Sequence, residues 1–266
     1  MPANLKRCLL YRPAAIILLL CTTITASAQR KLTVQPRTIV SDISPAMWGI
    51  FFEDINFGAD GGLYAELVKN RSFEFPSPLT GWKELRQQGG KLLIENAAGS
   101  RRIRIQVDGP PAPYGLSNEG FRGMGFHTGA TYRFSVQARS EEGGAAGKVE
   151  LVNTGGKVIA WAELPPFSKE WTTISVTLTA ADSAQRGRLN LFISGKGTVL
   201  LDEVSLFPTA TWRKRAGGLR ADLVQLLADM KPGFLRFPGG CIVEGKDLGN
   251  RYQWKSTVGP VDKRKL

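Results

Sequence analysis

The chain has 266 residues, 35 basic against 23 acidic side chains and a formal charge of +12, and it is 42% hydrophobic and 22% charged. With 30 Gly and 15 Pro, that balance describes a globular protein with one or two buried cores and excludes a disordered tail, a collagen and a coiled coil. A single histidine, His127, and three cysteines speak against a zinc site or a disulfide scaffold.

Residues 1–28 read as an address. Lys6, Arg7 and Arg12 form a basic start, an apolar run extends from Ala14 through Leu20 to Ile24, and Ala26-Ser27-Ala28 follows. This is the pattern of a secretory signal peptide, with cutting expected between Ala28 and Gln29. The run is shorter than the roughly 18 apolar residues a membrane span needs, and Leu20 before Cys21 does not fit a lipoprotein cleavage site. The expectation is an exported protein, periplasmic or extracellular, with no stable membrane anchor. Cys8 and Cys21 would leave with the signal, making Cys241 the only thiol and an intramolecular disulfide impossible even where export permits one. The basic runs Arg213-Lys214-Arg215 and Lys263-Arg264-Lys265 read as solvated linkers. Nucleic-acid binding would want a basic face with interleaved aromatics, so no nucleic-acid partner is expected.

Residues 29–78 open with Leu32 and Val34 in alternation with polar neighbours, which predicts a short strand before Pro36. Trp48-Gly49-Ile50-Phe51-Phe52 is nearly continuous in apolar character and suits a strand buried on both faces, as in a parallel sheet or barrel. It stops at Glu53-Asp54-Ile55-Asn56, and a glycine-rich loop runs from Gly58 to Gly62. Leu63, Tyr64, Leu67 and Val68 then fall at helical spacing, with Lys69 and Arg71 towards the end, so the segment predicts a helix. Strand, polar loop and helix make one β/α unit.

Residues 79–208 change period. Ile103, Ile105 and Val107 alternate with polar neighbours, as do Tyr132 to Ala138, Ile174 to Leu178 and Leu189 to Ile193, and Val204 and Leu206 close the series. Spacers such as Glu142-Gly143-Gly144 and Gly195-Lys196-Gly197 separate the runs. Alternation of this kind predicts antiparallel strands with one buried face, hence a β-sandwich. Residues 209–266 return to β/α character: Leu219, Leu223, Leu226, Leu227 and Met230 make one helical stripe, Lys231-Pro232-Gly233 stops it, and Phe234-Leu235-Arg236-Phe237 is a short strand before Pro238-Gly239-Gly240.

Charge appears where two apolar runs stop, at Glu53 and Asp54 and at Arg236. In parallel β/α folds the carboxyl ends of strands form the active-site face. A carboxylate accepts hydrogen bonds from a polyol and a guanidinium donates several; on spacing alone, Glu53 and Arg236 equally suit an ion pair with each other. The aromatics Trp82, Trp161, Trp171 and Tyr114 suit either a sugar-stacking platform or the sandwich core, and Trp171, opening the Ile174–Leu178 strand, reads as core. No acidic loop or histidine cluster points to a metal.

Four ordered segments carry more information: Trp48 to Asn56 (WGIFFEDIN), Gly61 to Glu74 (GGLYAELVKNRSFE), Leu235 to Gly245 (LRFPGGCIVEG) and Asn250 to Pro260 (NRYQWKSTVGP). Together they closely resemble the N-terminal part of the family-51 glycoside hydrolases, the α-L-arabinofuranosidases, and the middle zone resembles the carbohydrate-binding-like jelly roll inserted in one branch of that family. The resemblance implies a retaining enzyme that removes terminal arabinofuranose from plant polysaccharides and needs no cofactor. The fold it implies is α+β and multidomain, the start of a (β/α)8 barrel interrupted by an inserted antiparallel β-sandwich. It also implies that Glu53 and Arg236 contact the sugar in the −1 subsite. Many members have Asn after the Gly-Gly pair where this chain has Cys241, which reads either as a variant at a sugar contact or as a small buried thiol.

A retaining glycosidase uses two carboxyl groups about 5–5.5 Å apart. In this family the acid/base follows Asn in an Asn-Glu pair after a middle barrel strand, and the nucleophile lies on a later one. Asn118-Glu119 falls in the sandwich zone instead, and Glu244 is not a position the family uses for either role. A closed barrel takes about 250 residues, more than the zones flanking the sandwich supply. The expectation is therefore an N-terminal portion without catalytic residues of its own. A carbohydrate-binding protein that performs no chemistry is the alternative, and the sequence leaves the oligomeric state open.

Overall fold

A computed structural model describes residues 31–86, 89–97, 99–110, 112–260 and 264; the expected signal segment, 1–28, lies outside them. The chain divides into two units, residues 1–44 and 45–266. In the first, residues 31–44 carry neither strand nor helix. Leu32 and Val34 are exposed, so the strand expected there is not found: an alternating pair makes a strand only when a ladder partner stands beside it.

The second unit is built around ten antiparallel strands. They are β2 (Trp82–Arg86), β3 (Gly90–Ala97), β4 (Ser100–Asp108), β5 (Tyr114–Asn118), β6 (Met124–Phe126), β7 (Thr131–Ser140), β8 (Ala145–Val152), β9 (Val158–Glu163), β10 (Thr172–Thr179) and β11 (Ala184–Pro208). One sheet runs β3-β4-β11-β7-β10, and the other runs β2-β5-β11-β8-β9. The alternation read from the sequence is the reason. Ile103, Ile105 and Val107 of β4 and Phe134, Val136 and Ala138 of β7 are buried in one core with Leu189, Leu191 and Ile193 of β11, while their odd-numbered or even-numbered neighbours face outward. Burying a side chain such as Phe134 contributes about 2–3 kcal/mol.

β11 belongs to both sheets. Arg188–Gly195 pairs with β8, and Lys196–Pro208 continues against β4 and β7. The Gly195-Lys196-Gly197 segment, expected as a spacer between two strands, is thus a corner inside one 25-residue strand. Gly195 and Gly197 have φ of 83° and 149°, which lets the strand turn from one layer to the other without losing its ladder, as strands at sandwich corners do.

The segment after Gly62 is extended, not helical. Its backbone groups bond outward: Leu67 N–H to Leu206 O at 3.0 Å, Ala65 N–H to Gly218 O at 3.2 Å, and Arg220 N–H to Leu63 O at 2.8 Å. Ala65 and Val68 are buried. Docking against Leu206 of β11 and against Gly218 and Arg220 supplies the partners that a helix would have found four residues away, so tertiary pairing overrides the helical spacing. The β/α unit expected over 29–78 therefore lacks its helix.

Past the sandwich, helix α1 (Ala221–Asp229) precedes β12 (Leu235–Arg236), which pairs in parallel with β1 (Ile50–Phe51). The helix buries none of its residues, with Leu226 64% exposed. Phe51, Leu235 and Phe237 are also exposed, so the burial on both faces expected for the Trp48–Phe52 strand is not met among the described residues.

Candidate functional site

The two short strands place the charged residues of the strand ends side by side. Their register sets Ile50 against Leu235 and Phe51 against Arg236, and hydrogen bonds extend the ladder on both sides. Ile50 N–H donates to Phe234 O and Phe52 N–H to Arg236 O, both at 2.9 Å, and Asp54 N–H to Pro238 O at 3.3 Å. Arg236 and Phe51 share a face as register partners, and the guanidinium carbon lies 4.7 Å from the Phe51 ring centroid, a cation–π contact. Phe52 and Phe237 stack at 5.7 Å. Phe52 and Phe237 immediately follow Phe51 and Arg236, and strand alternation puts them on the opposite face.

Glu53 follows on the strand exit. The turn Pro238-Gly239-Gly240, entered through a cis Phe237–Pro238 peptide, closes over it. Gly239 has φ of 142°, and a Cβ there would stand 2.8 Å from Glu53 Cγ; a Cβ on Gly240 would stand 3.3 Å from Phe51 Cζ and 3.7 Å from Glu53 Oε1. The close approach of backbone to carboxylate thus depends on glycine at 239. No ion pair joins Glu53 to Arg236 among the described residues, so of the two readings the spacing allowed, mutual pairing is not what this structure adopts. Asp54 instead holds the loop, its Oδ1 accepting from Ala59 N–H at 3.0 Å.

The remaining candidates separate cleanly. Asn118 is fully buried and works as a clip: its Oδ1 accepts from Lys69 N–H at 3.1 Å and Gly120 N–H at 2.9 Å, and its Nδ2 donates to Lys69 O at 2.9 Å. Glu119 is exposed beside it, and Glu244 is exposed in the loop after Gly240. Cys241 is an exposed free thiol, which corrects the reading of it as a buried space-filler.

A family described as "Alpha-L-arabinofuranosidase 1 domain" matches residues 226–266, and one described as "Carbohydrate binding domain" matches residues 65–198, half of the chain. An extracellular exo-α-L-arabinofuranosidase of Streptomyces chartreusis is 37% identical over 96% of this chain and 33% of its own length. The α-L-arabinofuranosidase 1 of Arabidopsis thaliana is 35% identical over 84% of this chain and 35% of its own. A solved structure of an arabinose-bound GH51 α-L-arabinofuranosidase superposes with a TM-score of 0.75 at 30% identity, covering 86% of this chain and 40% of that one. The chain belongs to the family-51 α-L-arabinofuranosidases. It spans about a third of the length of the curated relatives it matches.

In this family-51 chain the sandwich aromatics divide by face. Trp82 and Tyr114 are core residues, and Trp82 Nε1–H donates to Asn70 O at 3.1 Å. Trp161 is 59% exposed, with Lys148 Nζ 5.0 Å from its ring centroid. Trp171, immediately before β10, is half-buried and flanked by the guanidinium carbons of Arg102 and Arg139 at 5.4 and 5.7 Å, so its reading as core is corrected. Arg102, Arg104 and Arg139 are laced to Glu95 and Glu141 on the same face. The alternation held the signal: Ile174 and Leu178 point inward, so an odd-numbered residue in step with that strand points out.

Two contacts were not legible in the sequence, Phe51 beneath Arg236 and Gly239 over Glu53. Both follow from the parallel register, which joins segments 185 positions apart, and no local pattern announces such a pairing.

Proposed function

We propose that this chain is the sugar-orienting N-terminal portion of an exported α-L-arabinofuranosidase, which hydrolyses terminal non-reducing α-L-arabinofuranosyl residues of plant polysaccharides by a retaining two-glutamate mechanism. The observation that carries the reading is the parallel register of β1 and β12, which sets Glu53 and Arg236 at the carboxyl ends of adjacent strands under a glycine turn. On this reading β1 and β12 begin a (β/α)8 barrel that the sandwich, residues 79–208, interrupts. Their exposed apolar side chains and those of α1 are surface that further barrel elements would bury. Glu53 accepts hydrogen bonds from the hydroxyls of the terminal arabinose, and Arg236, its guanidinium held against Phe51, donates to the same sugar.

The two catalytic glutamates are proposed to lie outside this chain. Supporting that, Glu119 sits on the sandwich beside a structural asparagine, and the chain corresponds to a third of its relatives. Export is supported by the reading of residues 1–28 and by the extracellular Streptomyces relative. No helix among the described residues is long and apolar enough to cross a membrane.

Release of chromophore from an aryl α-L-arabinofuranoside tests the assignment. The chain alone is expected to release none, and turnover by it would overturn the claim that its catalytic carboxylates are missing. In a longer product of the same gene, Glu53→Gln and Arg236→Ala are each expected to lower kcat/KM by about 10- to 100-fold, the worth of one charge-assisted hydrogen bond. Unchanged kinetics in both variants would remove these residues from the sugar site. A longer product that binds arabinan yet leaves the aryl arabinoside intact would favour a carbohydrate-binding protein without chemistry, the reading that the carbohydrate binding domain match also admits.

A further inference from the structure

A concave surface lined by neither Glu53 nor Arg236 lies on the outer face of the sheet β3-β4-β11-β7-β10. It is a cavity of about 560 Å³. Arg133, Ser135 and Gln137 of β7 form its floor with Thr173 of β10 and Ser205 and Phe207 of β11. The register accounts for this: Thr173 opposes Gln137, Ser205 opposes Ser135 and Phe207 opposes Arg133, so the polar members of each strand share one face while Phe134 and Val136 point into the core. Tyr64, edge-on to Phe207 at 5.2 Å between ring centroids, gives the floor an apolar patch.

Lys214 and Arg215 form part of the wall. These are the basic residues that the sequence presents as a solvated linker, but the loop carrying them is held. Trp212 N–H donates to Leu219 O at 2.8 Å, Gly218 N–H to Arg215 O at 3.0 Å, and Thr211 Oγ1–H to Arg215 O at 2.5 Å. Arg71 also lines the cavity and is matched by Glu203 at 2.9 Å. Arg133, Lys214 and Arg215 have no carboxylate partner among the described residues, and Arg264 adds a further cation. The surface therefore offers an excess of fixed positive charge around a floor of hydroxyl and amide groups.

We infer that this cavity binds an anionic saccharide, a chain bearing uronic-acid carboxylates. Guanidinium and ammonium groups bind carboxylates through charge-assisted hydrogen bonds, Ser135, Gln137 and Thr173 suit sugar hydroxyls, and the rings of Tyr64 and Phe207 suit the C–H face of a sugar. The match of residues 65–198 to a carbohydrate binding domain favours saccharide over other polyanions. The inference does not depend on the arabinosidase reading, because binding and not turnover is measured.

The test is titration of the chain with oligogalacturonate and with the same oligosaccharide after reduction of its carboxyls to alcohols. Oligogalacturonate is expected to bind, and carboxyl reduction to weaken binding about tenfold or more. Arg133→Gln with Lys214→Gln is expected to produce a similar loss, and Arg215→Gln alone a smaller loss in the same direction; unchanged thermal melting of the variants shows that folding is intact. Lys83→Gln with Lys169→Gln removes the same charge from exposed positions outside the cavity and is expected to change affinity less than about twofold. Equal loss in that control pair, equal affinity for the reduced oligosaccharide, tighter binding of polyphosphate than of oligogalacturonate, or no binding of the acidic sugar would each overturn the inference.

Discussion

Alanine at Gly195 is expected to destabilise the sandwich by about 2–5 kcal/mol, enough at its upper end to unfold a domain of marginal stability. Two costs add. Gly195 has φ of 83°, a left-handed conformation that costs an L-residue about 1–2 kcal/mol. The added Cβ would also fall inside the van der Waals contact of the Gly144 carbonyl oxygen, with Gly144 C at 3.1 Å. That oxygen is main chain and has no rotamer with which to retreat, so either β11 or the turn before β8 must move, and overpacking of this kind costs roughly another 1–3 kcal/mol. Gly129 separates the two contributions. Its φ is 77°, almost the same, but a Cβ there meets nothing within 4 Å, so Gly129→Ala is expected to cost only about 1 kcal/mol. Denaturant unfolding of both variants checks the pair. A Gly195 variant no less stable than the Gly129 variant would mean that the corner in β11 is not a fixed point of the fold.

That corner also shows where a sequence is readable. Alternation in β4, β7 and β10 marked the buried face correctly because a sheet with one wet side forces period two on its residues. The glycines of Gly195-Lys196-Gly197 marked a change of direction, but composition does not distinguish a turn that ends a strand from a bend that the ladder survives. Leu63, Tyr64, Leu67 and Val68 misled for a related reason. Their spacing fits one face of a helix, yet the same residues line an extended segment once Leu206, Gly218 and Arg220 take up its backbone hydrogen bonds. The segments around Glu53 and Arg236 were legible as strand ends by themselves, whereas their adjacency is a property of the parallel pairing and not of either segment. The short run Leu32–Val34 shows the complementary limit, since alternation over two apolar residues carries too little burial to hold a strand.

The placement of charge separates the two polar regions. At the strand ends, Glu53 and Arg236 stand on or just past neighbouring strands with no ion pair between them among the described residues, and the proposed function assigns both to a neutral polyol. On the outer sheet face, Arg102, Arg104 and Arg139 are matched by Glu95 and Glu141, but the matching stops before Arg133, Lys214 and Arg215. Charge left unmatched at a concave surface raises the local potential and attracts anions, whereas the laced part of the same face offers none. The two regions thus suit different chemistry on one chain.

Raising the pH from 5 to 8 is expected to weaken the fold, and Glu66 is the principal cause. Its carboxylate is buried, accepting from Leu206 N–H at 2.8 Å, Val68 N–H at 3.0 Å and Ser205 Oγ at 2.5 Å. Burial pushes its pKa from 4.5 up to about 7, outweighing these hydrogen bonds and Arg71, whose Nη1 lies 3.8 Å away. The folded chain therefore keeps a proton between pH 4.5 and about 7 that the unfolded chain gives up. Stability from this proton is fully present below the unfolded value and is lost as pH rises through the folded one, by up to about 3 kcal/mol. Asp202, pushed up to about 7 chiefly by burial and further by Glu203 and Glu74, acts in the same direction over the same window. Glu66→Gln keeps an acceptor oxygen for the strand and removes the titration, so thermal melting of this variant should fall less between pH 5 and 8 than that of the parent chain, leaving the part due to Asp202. Glu66→Ala is expected to cost about 3–5 kcal/mol at pH 5, because two backbone N–H groups and the Ser205 hydroxyl lose their acceptor in a dry site. A parent chain that melts higher at pH 8 than at pH 5, or a Glu66→Gln variant with an unchanged slope, would show that this carboxylate is ionised in the fold and that Arg71 and the hydrogen bonds outweigh burial.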